Sequence, residues 1–117
     1  MTCYTLIRDT EAANAVLDSL DLTKPLFVDT ETCRERGKTD LKKEPGGLYG
    51  KIRLVQLYQK GWKKAVLLDC FYVDLHNILA KIQPFTHVGY NYSYDLHTIN
   101  CHTLGTYLPA EVVDCFT

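Results

Sequence analysis

Pro25-Leu26-Phe27-Val28-Asp29-Thr30-Glu31 is the stretch on which the fold turns. An apolar run that closes in Asp-x-Glu predicts a buried strand. Strand side chains repeat every two residues, so Asp29 and Glu31 point the same way and two carboxylates share one spot. Like charges that close raise each other's pKa and resist joint ionisation, and a divalent cation between them is the simplest explanation. The plainer reading is a pair of solvated charges at a strand end.

Working outward, Thr2 to Ile7 reads as a short strand. A helix follows over Glu11 to Leu20, capped by Asp9 or Thr10, with Ala12, Val16, Leu17 and Leu20 at helical spacing. Beyond the Asp29 strand, Cys33 to Gly50 reads as a long polar loop broken by Pro45-Gly46-Gly47. Alternation over Ile52 to Gln59, the turn residues Lys60-Gly61 and the run Ala65 to Asp69 predict a hairpin, giving three sequential antiparallel strands. Leu75, Ile78, Leu79 and Ile82 mark a helix that ends before Pro84. His87-Val88-Gly89 is a short strand, Asn91 to His102 a second helix with Leu96 and Ile99 inward, and Val112-Val113 opens one more element. This order predicts an α/β fold, a mixed sheet with flanking helices and the Asp29 strand near its centre. At 117 residues the chain is expected to be a single domain, with residues 1–24 an opening strand and helix and residues 25–117 the motif-bearing core.

Composition is ordinary for a globular protein, and no apolar run approaches the length of a membrane span. The first residues lack the basic and apolar pattern of a leader, and the five cysteines are odd in number and widely spaced, so a cytoplasmic protein with reduced thiols is expected. The net charge of -1 hides a basic region between Arg34 and Lys64, directly after Asp-x-Glu, suited to a polyanion. As a charge run it also reads as a solvated face.

The second candidate motif is Val88-Gly89-Tyr90-Asn91-Tyr92-Ser93-Tyr94-Asp95. Asn91 is placed to cap a helix and Asp95 lies one turn inside it. In open α/β sheets such a helix N-terminus lies near the carboxyl end of a neighbouring parallel strand, which sets Asp95 to face Asp29 across a metal ion. Tyr90 and Tyr92 are placed to stack on bases, whereas Tyr94 reads as core packing. His97 and Cys101 lie one helical turn apart, half of a zinc site with no second half spaced to complete it.

Four segments, Phe27-Val28-Asp29-Thr30-Glu31-Thr32, Lys51-Ile52-Arg53-Leu54-Val55-Gln56-Leu57, Ala65-Val66-Leu67-Leu68-Asp69 and Val88 to Leu96, together resemble the DEDD-type 3′-to-5′ exonucleases of the ribonuclease H-like fold. The similarity is to the branch shared by ribonuclease D and the proofreading domains of family-A DNA polymerases. It implies that Asp29, Glu31 and Asp95 are three of four metal-binding carboxylates. They would hold two Mg²⁺ or Mn²⁺ ions about 4 Å apart that activate a water and stabilise the leaving 3′ oxygen. Asp29 would bridge both ions. Thr30, Thr32, Arg34, Arg36, Asn91 and Tyr92 are the residues implied to contact the 3′ end of DNA or RNA.

The family's third motif, a Tyr or His with an Asp on a later helix, has no counterpart in these 117 residues. Asp114 resembles instead the Asp-Thr segment that precedes it. The ribonuclease H-like sheet is therefore expected to be C-terminally incomplete and one ion under-coordinated, unless these residues are a portion of a longer enzyme, or a second copy or a partner chain supplies the missing Asp. The alternative is a catalytically incomplete nuclease-fold module that binds nucleic acid or a protein without cutting.

Overall fold

The computed structural model describes residues 4–33 and 51–115. Its elements run β1 (Tyr4–Ile7), α1 (Thr10–Asp18), β2 (Leu26–Cys33), β3 (Lys51–Tyr58), β4 (Ala65–Asp69), α2 (Leu75–Ile82), β5 (Thr86–Gly89), α3 (Tyr92–His102) and β6 (Glu111–Asp114). Six strands form one mixed sheet in the order β1-β4-β3-β2-β5-β6. The β2, β3 and β4 strands pair antiparallel as the hairpin signals predict, while β1 joins β4, β5 joins β2 and β6 joins β5 in parallel. Parallel neighbours need crossover connections, and α1, α2 and α3 lie in those crossovers.

Strand alternation decides which face is core. Leu26, Val28 and Thr30 of β2 are buried together with Val55 and Leu57 of β3 and Val66 and Leu68 of β4. They pack with Ala13 and Leu17 of α1 and with Ile78, Leu79 and Ile82 of α2. Removing such apolar surface from water is the main favourable contribution to the fold, about 25 cal/mol per Å². The opposite face of β2 carries Phe27, Asp29 and Glu31 and is open. The expected burial of this strand thus holds for one face only, and Phe27 on the other remains 43% exposed. In α1 the inward residue is Ala13 rather than Ala12, since capping by Asp9, whose Oδ2 accepts from Ala12 N at 2.8 Å, turns Ala12 toward solvent.

Polar clips hold the periphery. The fully buried Gln59 side chain donates to the carbonyls of Asp21 and Lys24 and accepts from Asp21 N at 2.9 Å, fastening the α1–β2 connection beneath the hairpin turn. Gly61 completes that turn at φ +100, a conformation that a Cβ would strain. The β2–β3 register shifts at Glu31/Thr32: Glu31 opposes Leu54 and Thr32 opposes Ile52, leaving Arg53 as the extra residue of a bulge. Freed from the ladder, Arg53 reaches across to Asp69 at the end of β4. Asp69 is fully buried and also accepts from Arg8 Nε at 2.9 Å and Phe71 N at 3.0 Å. Burial alone would raise its pKa, but the Arg53, Arg8 and Phe71 hydrogen bonds outweigh it and hold the carboxyl at about 2.

His87 of β5 is buried between two partners, with Nδ1 at 3.0 Å from Phe85 O and Nε2 at 2.5 Å from the Tyr107 hydroxyl. The carbonyl can only accept, so Nδ1 carries the proton and the neutral ring's Nε2 accepts from Tyr107. Burial pushes the imidazole down to about 4.

Both groups predict a stepwise acid response. Above pH 6.5 His87 is neutral in folded and unfolded chains alike. Between about 6.5 and about 4 the unfolded chain takes up a proton that the folded chain refuses, so stability falls with pH by up to roughly 3 kcal/mol. Asp69 adds a second loss, its stabilisation complete above 3.8 and vanishing as pH falls through about 2. Urea unfolding at a series of pH values checks this. A midpoint unchanged between neutral pH and the lower limit of the His87 window would exclude a neutral buried imidazole.

Candidate active site

The site forms where β5 leaves β2. Their pairing covers only Leu26 with His87 and Phe27 with Val88, so the β2 edge beyond this point has lost its sheet neighbour. An unpaired amide near the core is costly, and the side chain of Asp95 takes the vacant place. Its Oδ1 accepts from Thr30 N at 3.0 Å and from Thr30 Oγ1 at 2.6 Å. Asp95 is only 4% exposed.

The start of α3 is shaped to deliver this carboxylate. A Cβ on Gly89 would lie 2.7 Å from Tyr92 Cδ1, so only glycine lets the helix begin so close to β5. Asn91 occupies the N-cap position as expected, but in the left-handed region at φ 52, and its side chain makes no capping hydrogen bond. The cap comes instead from β6, where Asp114 Oδ2 accepts from Tyr92 N at 3.0 Å. Cys115 N also donates to Gly89 O at 2.8 Å, tying the end of β6 to the end of β5.

Asp29 and Asp95 meet at this junction, close enough to share a hydrogen bond when one is protonated. Burial lifts the Asp29 carboxyl above its ordinary pKa, and the Asp95 and then the Glu31 carboxylate lift it further. Among the described residues, none of the influences on Asp29 is a cation. This is an oxygen-only donor set under like-charge repulsion, which suits a hard divalent cation over zinc. Among the described residues, however, no group of three or more His, Cys, Asp or Glu side chains stands close enough to hold an ion. The fit therefore rests on the Asp29–Asp95 pair, with Glu31 acting on it electrostatically.

Several residues sit differently from expectation. Thr30 does not face outward, because alternation places it with Leu26 and Val28 on the buried side, where it holds Asp95. Tyr92 is fully buried with its ring 5.9 Å from that of His87 and cannot stack on a base, while Tyr94 is 43% exposed. Tyr90 is exposed as expected. Thr32 lies at the bulge, half-buried, and Asn91 is exposed. Arg34 and Arg36 lie outside the described residues. His97 and Cys101 are exposed and join no metal cluster among the described residues, and Cys33, Cys70, Cys101 and Cys115 are all free thiols.

A groove of about 340 Å³ opens beside Asp29 on the same face, lined by Phe27, Gln56, Tyr58, Val88 and Tyr90 among others. It escaped the sequence reading, although the alternation that sets Phe27 with Asp29 and Gln56 with Tyr58 was the signal for it.

The chain has the α/β fold of the ribonuclease H-like 3′-to-5′ exonuclease domains. It is similar over 97% of its length to Escherichia coli RNase D, an exoribonuclease involved in structured RNA processing, at 22% identity and a TM-score of 0.67. Over 95% it is similar to Trypanosoma brucei RNase D in complex with RNA U12, at 18% identity and a TM-score of 0.68. Over 97% it is similar to the EXD2 exonuclease domain soaked in Mg and GMP, at 14% identity and a TM-score of 0.62. The chain spans 27%, 37% and 56% of those three chains. No protein-family profile matches it, and no curated protein sequence does.

Crowding at Asp29 is directly measurable. In metal-free protein its carboxyl is expected to titrate above the ordinary value of 3.8, and Asp95→Asn to bring it down further than Glu31→Gln does, as followed by carboxyl ¹³C NMR. Asp29→Asn is expected to raise the melting temperature in EDTA by a few degrees by removing the repulsion. A lowered melting temperature would show that the carboxylates are not under strain.

Proposed function

We propose that this chain carries the carboxylate site of a metal-dependent 3′-to-5′ exonuclease that hydrolyses phosphodiester bonds of nucleic acid from the 3′ end. The observation that carries the reading is the Asp29–Asp95 pair, brought together from β2 and α3 with no compensating cation from the described residues among the influences on Asp29. Like charges gathered at a sheet junction lower stability and are retained where a bound cation offsets them.

In this reading Asp29 and Asp95 hold the ion and Glu31 completes the cluster as the nucleic acid binds. A divalent cation held there supplies an acidified water and positive charge at the leaving oxygen. Thr30 fixes the Asp95 carboxylate through two hydrogen bonds. Asp114 holds the helix that carries Asp95. The groove between Phe27, Tyr58 and Tyr90 accepts the sugar and base of the terminal nucleotide against aromatic surface. Thr32 and Asn91 contact the incoming strand in this reading, and Arg34 and Arg36 are the further residues proposed to contact it. The exoribonuclease nature of E. coli RNase D, the RNA held by the T. brucei enzyme and the Mg and GMP soaked into EXD2 support this reading. A fourth carboxylate comes from outside these 117 residues.

A second reading, a nuclease-fold module that binds without cutting, is favoured by one observation: no three potential ligands converge among the described residues. Mn²⁺-dependent shortening of 5′-labelled single-stranded RNA and DNA separates the two. Stepwise products are expected from the wild type and none from Asp29→Asn. Thr30→Val, which deletes the Oγ1 hydrogen bond to Asp95 but keeps the backbone one and removes no ligand, is expected to lose roughly 10–100-fold, the usual cost of deleting a group that orients a ligand. Oligonucleotide binding with no Asp29-dependent products would favour the second reading.

A further inference from the structure

At the end of the sheet where β1 and β4 finish and β3 begins, two arginines are fixed by one buried carboxylate. Arg8 Nε donates to Asp69 Oδ2 at 2.9 Å, while Arg53 Nε and Nη2 donate to Oδ1 and Oδ2 at 3.0 and 3.2 Å. Each guanidinium lies over an aromatic ring of the segment after β4, Arg53 at 4.0 Å from the Phe71 centroid and Arg8 at 5.6 Å from that of Tyr72. One arginine would balance Asp69, so the second leaves a net positive charge. Both Nη groups of Arg8 and the Nη1 of Arg53 make no hydrogen bond to a described residue. The two rings are not core either, being 58% and 59% exposed in consecutive positions.

Fixed guanidinium donors beside open aromatic faces are what a flexible polyanion with stackable bases requires. The arrangement is also preorganised, since Asp69 and the rings have already removed the rotamer freedom that arginine would lose on binding. Its place in the sheet is specific: Glu31, Leu54 and Asp69 form one row across β2, β3 and β4, putting Asp69 two strand spacings, about 10 Å, from Glu31. A strand whose 3′ end reaches Asp29 needs only a few more nucleotides to cross this row.

We infer that Arg8, Arg53, Phe71 and Tyr72 form a second binding surface, for single-stranded nucleic acid, in which the arginines take backbone phosphates and the two rings take bases. The choice of ligand rests on the exonuclease reading, but the surface contains none of Asp29, Glu31 or Asp95.

The test is fluorescence anisotropy of short labelled oligo(U) and oligo(dT) with the full chain in EDTA, where no cutting interferes, beside the Mn²⁺ shortening assay. R8Q is expected to weaken binding and to lower the slope of log K against log salt by about 0.7, one phosphate contact on a single strand. R8K is expected to keep that slope. F71A and Y72A are each expected to weaken binding roughly fivefold or more with the slope unchanged, as loss of one stacked base does. Their exposed side chains keep the test valid if R8Q unfolds. Binding by F71A and Y72A as tight as wild type, binding of neither oligonucleotide, or tighter binding of duplex would overturn the inference. Weakened binding by the variants with no Mn²⁺-dependent shortening would leave the surface standing and remove the exonuclease reading. Normal binding by the variants with intact shortening would do the reverse.

Discussion

The hydrogen bonds from Thr30 to Asp95 are the interaction on which the site depends. Where β5 stops pairing with β2, the sheet opens a gap that backbone alone cannot close, and a carboxylate from α3 fills it. An aspartate in that place satisfies the exposed Thr30 amide and also stands against Asp29. A neutral acceptor such as Asn would close the gap without the repulsion. The charge there adds to burial in raising the Asp29 pKa, an electrostatic cost that a neutral acceptor would not carry.

The two acidic centres of the sheet make the point by contrast. Asp69 is fully buried, yet two guanidinium groups and a backbone amide surround it and hold its pKa at about 2. Asp29 is partly open, and burial and, among the described residues, the Asp95 and Glu31 carboxylates raise its pKa while only the Thr30 backbone lowers it. Burial alone does not separate the two; compensation does. A compensated carboxylate ties β1, β3 and β4 together, whereas the Asp29–Asp95 pair is under like-charge repulsion, which in the proposed reading a bound cation would relieve.

Much of this was legible because strand alternation is a strong constraint. Asp29 and Glu31 on one side, the hairpin, the helix of Ile78 and Ile82 and the central position of β2 all follow from apolar spacing. What failed depended on contacts between distant segments. Tyr92 and Tyr94 exchange their expected places because the Gly89 approach swings the first turn of α3 onto His87, and no local pattern encodes that swing. Asn91 looks like a capping side chain, but the cap is Asp114, 22 residues beyond the Tyr92 amide from which it accepts. The arginine–Asp69 cluster needs a bulge at Arg53, visible only once the two strands are in register.

The open face of the sheet then has a physical reading of its own. On β2 the same alternation that buries Leu26, Val28 and Thr30 sends Phe27 out beside Asp29, and across the ladder it sends Tyr58 out beside Phe27, their rings 6.1 Å apart. An aromatic pair on a solvent-facing surface loses its hydrophobic contribution unless something covers it. Here it lines a groove with Asp29 at its margin, so apolar surface and negative charge are offered together. In the proposed reading a terminal nucleotide would match both, its base against the rings and its phosphate toward a cation held at Asp29.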